Sequence, residues 1–179
     1  METSGHHLVY GVLSDLLTGE TLLDTDDERI RQQLARLLTE SLGYAVCELE
    51  PRLPIPGSNS RVDLTARIAG RRLFVLRYGP GSLVTREKPA LAAARLLDPA
   101  YCIPFALVTN GRDAELLDAL TGKVLARGLQ AIPDRREAGL LRDQAVFVPY
   151  ADPVRRAQAL RILAVFDRDE CCCAGKCAL

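Results

Sequence analysis

No stretch of this chain approaches the ~20 consecutive apolar residues that cross a bilayer, so no membrane span is expected in its 179 residues. The start lacks a basic segment followed by an apolar run, and a signal peptide is not expected. No internal repeat appears, which argues against a solenoid or propeller. Formal net charge is zero, so bulk charge favours neither an anionic nor a cationic partner. Histidine occurs only as His6-His7, read as part of a solvated tail rather than a metal pair. Gly122-Lys123 is not a phosphate loop, because Val124 stands where the Ser or Thr belongs and no strand is expected to lead into it.

What is present describes a single globular domain. Hydrophobic residues make up 48% and charged residues 26%, and the length suffices to bury a core. Six cysteines without secretion imply a reducing, cytoplasmic setting, hence thiols or metal ligands in preference to disulfides. The zero net charge also hides an asymmetry. Residues 1–30 hold seven acids against Arg29, whereas residues 61–88 hold seven bases against Asp63 and Glu87. A local basic surface is the footprint of an anionic partner; the alternative is a solvated hairpin face.

Residues 61–88 organise the rest. Val62, Leu64, Ala66 and Ile68 alternate with Arg61, Asp63, Thr65 and Arg67, the period of a strand with one apolar face. Ala69-Gly70 permits a tight turn. Residues 73–76 are unbroken apolar, as in a central strand covered on both faces, and Gly79-Pro80-Gly81-Ser82 then forces a loop. Before this hairpin, Thr25-x-x-Glu28 reads as a capping box opening a helix with Ile30, Leu34, Leu37, Leu38 and Leu42 on one stripe, closed by Gly43. Residues 8–13 suggest a short strand or turn and residues 44–50 a first core strand. A loop through Pro51, Pro54 and Pro56 follows. After the hairpin, the pattern predicts a helix over 89–97, capped near Ser82 or Thr85, and a strand over 103–109 turned by Asn110-Gly111. It then predicts a short helix over 113–120, an edge strand over 123–125 and a charged helix over 136–142. A final helix begins at Asp152-Pro153, with Val154, Leu160, Leu163 and Phe166 as core candidates. Strands separated by helices indicate an α/β fold, a mixed central sheet flanked by helices. The expected divisions are an N-terminal extension (1–24), the α/β domain (25–167) and a cysteine-rich tail (168–179).

Four pieces together resemble the N-terminal domain of type I restriction enzyme R subunits. They are Leu37-Leu38-Thr39-Glu40-Ser41-Leu42-Gly43-Tyr44, Asp63 on its hairpin strand, the strand ending at Arg77, and Phe105-Ala106-Leu107-Val108-Thr109-Asn110-Gly111. The helix and Thr-Gly-Lys turn over 113–125 fit the same pattern, and the resemblance spans roughly residues 25–130. It implies a restriction-endonuclease-like, PD-(D/E)xK fold and an ancestry in restriction–modification. In that site an Asp and the Glu of a Glu-x-Lys hold Mg²⁺, the metal activates water and the lysine positions it. Here Asp63 fills the first place, but Val75 replaces the Glu and Arg77 the Lys. The Gln-x-x-x-Tyr of the following helix has no counterpart in 89–97, with only Tyr101 nearby.

Three functions compete at this level. The first is a stand-alone, nuclease-derived domain that binds a DNA or RNA backbone, or a partner protein, without cutting. In it Asp63, Arg77 and Glu40 are a vestigial catalytic set, and Gly79, Gly81, Ser82, Arg71, Arg72 and Arg86 cradle phosphate. The second is an active Mg²⁺-dependent endonuclease in which Glu40, Glu48 or Glu50 supplies the missing acid. The third is a metal- or redox-linked protein acting through Cys171, Cys172, Cys173 and Cys177. Four thiols at a chain end have little to pack against. Their softness suits Zn²⁺ or an iron–sulfur cluster, with Cys47 or Cys102 available as an extra ligand; the alternative is a reduced, unstructured tail.

Overall fold

The computed structural model describes residues 9–166. A hairpin of β1 (Val9–Ser14) and β2 (Thr21–Thr25) leads into helix α1 (Asp26–Arg36), which continues as one π-helical turn, Leu37–Ser41. A 3-10 turn (Val46–Glu48) precedes β3 (Leu49–Pro54), β4 (Arg61–Ile68) and β5 (Arg71–Tyr78). Helix α2 (Val84–Leu96), β6 (Phe105–Thr109), β7 (Ala114–Asp118) and β8 (Val124–Arg127) follow, then α3 (Arg135–Gln144) and α4 (Pro153–Phe166). Strands β3 to β8 form one six-stranded sheet in sequence order. All its neighbours are antiparallel except β5 and β6, which α2 joins as parallel strands. This is the mixed α/β architecture expected. No helix among the described residues is long and apolar enough to cross a membrane.

Two cores sandwich the sheet. On one face, Val75, Ala106, Val108 and Leu117 meet α2 and the Ala159 and Leu163 side of α4. On the other, Leu64, Phe74, Leu76 and Leu107 meet Leu34, Ala35 and Leu38 from α1 and its π turn, and Ala138 from α3.

Local chemistry explains most element ends. Thr25 caps α1, its hydroxyl accepting the Glu28 N–H at 3.2 Å. Ala69 and Gly70 both take positive φ, 50° and 81°, which the two-residue turn between β4 and β5 requires. Asp152 caps α4 through the Val154 and Arg155 amides.

Five expectations are corrected. The strand expected over 44–50 begins only at Leu49 and runs through Pro51 to Pro54. It lies at the sheet edge, where a missing N–H costs no ladder bond. Tyr44 instead buries its ring against Phe74 and donates its hydroxyl to the Pro133 carbonyl at 2.8 Å. The helix expected over 113–120 is strand β7, paired with β6 after the Asn110-Gly111 turn. A strand therefore does precede Gly122-Lys123, but β8 and not a helix follows, so the pair closes a hairpin. Helix α2 starts at Val84, so Pro89 lies inside it; the carbonyl left without its helical donor belongs to Thr85, an exposed residue. On α4, Val154 is 75% and Phe166 42% exposed, and Ala159 and Leu163 carry the contact.

Candidate functional site

The carboxyl ends of parallel strands are where open α/β sheets place ligands, and β5 and β6 end together. The two loops leaving them are tied by the Asn110 Nδ2–H donating to the Gly81 carbonyl at 2.9 Å and the Gly79 N–H to the Thr109 carbonyl at 3.1 Å. Helix α2 opens over these loops at Leu83 without a side-chain cap. Arg86 lies across Gly79 so closely that a Cβ there would come within 2.6 Å of its Nε. That Nε is buried and has no hydrogen-bond partner among the described residues. Gly79, Gly81, Ser82 and Arg86 therefore gather at one end of the sheet.

Antiparallel pairing brings the starts of β4 and β7 to the same end. Arg77 stands opposite Val108, Val108 opposite Glu115, and Glu115 opposite Arg127. One step beyond the Leu64–Leu76 pair, Asp63 comes opposite Arg77. Asp63, Arg77, Glu115 and Arg127 thus fall in one row across the sheet. Asp63 and Glu115 are three strand spacings apart, about 14 Å, too far to share one ion.

Asp63 and Arg77 do come together. Burial pushes the Asp63 carboxyl above its ordinary value, opposed by the Tyr78 N–H, which it accepts at 2.8 Å, and by Arg77. The hairpin's alternation slips here. Leu53 and Val62 pack on the α2 side, whereas Leu64 and Ala66 pack on the α1 side, and Arg52, beside the slip, has φ +52°. Asp63 accordingly feels Asp27 and Arg31 of α1, while Val75 is fully buried on the α2 side.

Behind Asp63 lies an ion cluster that the sequence did not reveal. Arg31, 3% exposed, bridges Asp15 and Glu28. Arg52 reaches Glu20 at 2.6 Å and Asp15 at 3.4 Å. Burial pulls the Asp15 carboxyl up, but the Leu17 and Thr18 amides with Arg31 and Arg52 outweigh it and leave it below the usual range.

A second acidic feature was also missed. Glu115, 6% exposed, accepts the Arg127 Nε–H on its Oε1 at 2.9 Å. Its Oε2 is buried and meets no donor other than the Glu87 carboxyl. Glu87, in the first turn of α2, lies beside it; burial, then the Glu115 charge and a hydrogen bond between the two carboxyls, push the Glu87 carboxyl up, opposed by Arg127. The signal was a lone acid within Ala114-Glu115-Leu116-Leu117, which becomes legible only once that run is a strand.

Other sequence candidates fall elsewhere. Glu40 is exposed and about 20 Å along its helix from Asp27. Glu48 and Glu50 are held by Arg135 and Arg72. Arg71 and Arg72 sit at the opposite end of β5, about 23 Å from Tyr78. Arg72 pairs with Glu50 and Asp98, and Arg71 stacks over Phe147 at 5.0 Å. Cys102 is buried and Cys47 exposed. Cys171, Cys172, Cys173 and Cys177 lie outside the described residues, as do His6 and His7. The Mg²⁺ that a PD-(D/E)xK site implies does not fit at Asp63. Val75 offers no carboxylate, and no three His, Cys, Asp or Glu side chains among the described residues form a metal-binding group.

Among known proteins, the family model for the type I restriction enzyme R protein N terminus matches residues 26–133. No curated protein and no solved structure matches the chain.

Proposed function

The chain belongs to the type I restriction enzyme R protein N-terminal family, and from that membership we propose that it is a nuclease-derived module that holds a nucleic-acid backbone without cutting it. The observation that carries this reading is the fully buried Val75, packed in the α2-side core where a metal-binding acid would be needed. Backbone contact falls to the loop of Gly79, Gly81 and Ser82, to Arg86 and to the uncapped start of α2, where amides and a guanidinium suit phosphate oxygens. Arg77 cannot lose a proton near neutral pH, so it serves as a charge and not as a base.

The test has two arms. Plasmid incubated with Mg²⁺ should stay intact; robust cleavage abolished by Asp63→Ala would falsify the reading. Fluorescence anisotropy with DNA and RNA oligonucleotides should show binding that weakens as salt rises, because counterion release drives it. Arg86→Ala should weaken binding and flatten the salt slope, whereas Arg71→Ala should leave both unchanged. Absence of binding at low salt would favour a partner protein instead. That second reading has its own support in an open groove of about 290 Å³ between β8 and α3, lined by Leu116, Ala126, Ala131, Leu140 and Leu141.

A further inference from the structure

The hairpin of β1 and β2 is a two-stranded sheet of its own, apart from the six-stranded one. Residues 9–25 carry Asp15, Glu20 and Asp24 and no Lys or Arg. Polar contacts fasten the hairpin. Asp15, its side chain fully buried, pairs with Arg31 and reaches Arg52 at 3.4 Å. Glu20 holds Arg52 at 2.6 Å, and the Leu16 N–H donates to Gln32 Oε1 at 3.0 Å. Leu17 meets the α1-side core, whereas Val9, Tyr10, Val12 and Leu23 stay 50–67% exposed. The family match begins at residue 26, so both arginines belong to the matched domain and both acids to the segment before it.

Those arginines stand at the candidate site. Arg52 lies between the Pro51–Leu64 and Leu53–Val62 pairs, which puts it beside Asp63, and Arg31 acts on Asp63 from α1. Arg77, across from Asp63, is two residues from Gly79. We propose that the acidic turn of the hairpin is an autoinhibitory strap: the carboxylates of Asp15 and Glu20 occupy the guanidinium groups of Arg31 and Arg52, which bind the nucleic-acid backbone when the turn moves aside. The strap rests on the reading of the domain as a backbone binder and adds its regulation. Carboxylate and phosphate oxygens suit the same guanidinium fork. A phosphate that enters as a carboxylate leaves keeps the buried guanidinium paired, so the exchange avoids the large cost of baring that charge.

Fluorescence anisotropy with a duplex DNA oligonucleotide compares the full chain with its variants across a salt series. Glu20→Gln and Asp15→Asn should each tighten binding at least about threefold and steepen the log–log salt slope, by about 0.9 for each phosphate newly contacted. Asp24→Asn removes an equal charge from the hairpin, but from a carboxylate held by Arg29 at 2.6 Å, and should do neither. Adding Arg52→Gln to Glu20→Gln should cancel the gain. Glu20, its side chain 63% exposed, keeps the test valid if Asp15→Asn fails to fold. Binding by the full chain that Glu20→Gln leaves unchanged, or that Asp24→Asn tightens equally, overturns the strap and leaves the backbone-binding reading standing. No binding by any of these proteins overturns both.

Discussion

Asp63 is kept at a cost that depends on pH. Burial raises its carboxyl above the unfolded value, so the folded state takes up the proton more readily than the unfolded chain. The contribution to stability is present in full below the unfolded pKa and is lost as pH rises through the folded one. Asp63→Asn should therefore leave the neutral-pH melting temperature unchanged or higher and flatten its fall with rising pH; a clear drop would show that the pairing with Arg77 outweighs burial. Cys102 offers a simpler check. Burial pushes its thiol up to about 12, so almost no thiolate exists at neutral pH. Peptide mapping after brief alkylation should find Cys47 modified and Cys102 intact, with Cys102 reacting only in denaturant.

At the scale of elements, the N-terminal hairpin and α1 are held to β3 by the Asp15, Glu28, Arg31 and Arg52 cluster. Arg31→Leu should destabilise the protein by about 3–5 kcal/mol in urea unfolding, because it leaves buried carboxylates uncompensated. The depressed Asp15 carboxyl gives stability that is present above its unfolded pKa and lost as pH falls through the folded one, so the native protein should weaken on acidification. None of this was readable beforehand, since Asp15, Arg31 and Arg52 are brought together only by tertiary structure. The central hairpin was readable, because period-two alternation over 61–68 and the Ala69-Gly70 turn are local signals. Strand β7 was not: Ala114-Glu115-Leu116-Leu117 has helix-forming residues in a short apolar run, and pairing with β6 overrode that preference. The prolines of β3 misled for a related reason, since edge position is a property of the finished sheet. Asp63 and Arg77 fall on antiparallel neighbouring strands, as the hairpin pattern implied, but the slip at Arg52 leaves no trace in the alternation.

At the scale of the whole molecule, the family match ends at residue 133, yet α4 beyond it covers α2 with Ala159 and Leu163. Leu163→Ala should cost about 2–5 kcal/mol in denaturant unfolding, which would show that this later helix is integral to the fold. A cost below about 1 kcal/mol would mark it as an accessory. The sheet's order also has a consequence for how the chain assembles. Because β3 to β8 lie side by side in the order of synthesis, each strand finds its predecessor already in place. Four of the five joins are short hairpin closures, which are fast; only β6 must wait for the α2 crossover to bring it alongside β5. Refolding should therefore be limited by that single docking step, with substitutions such as Ala106→Gly and Val108→Ala slowing it more than substitutions in β3 or β8.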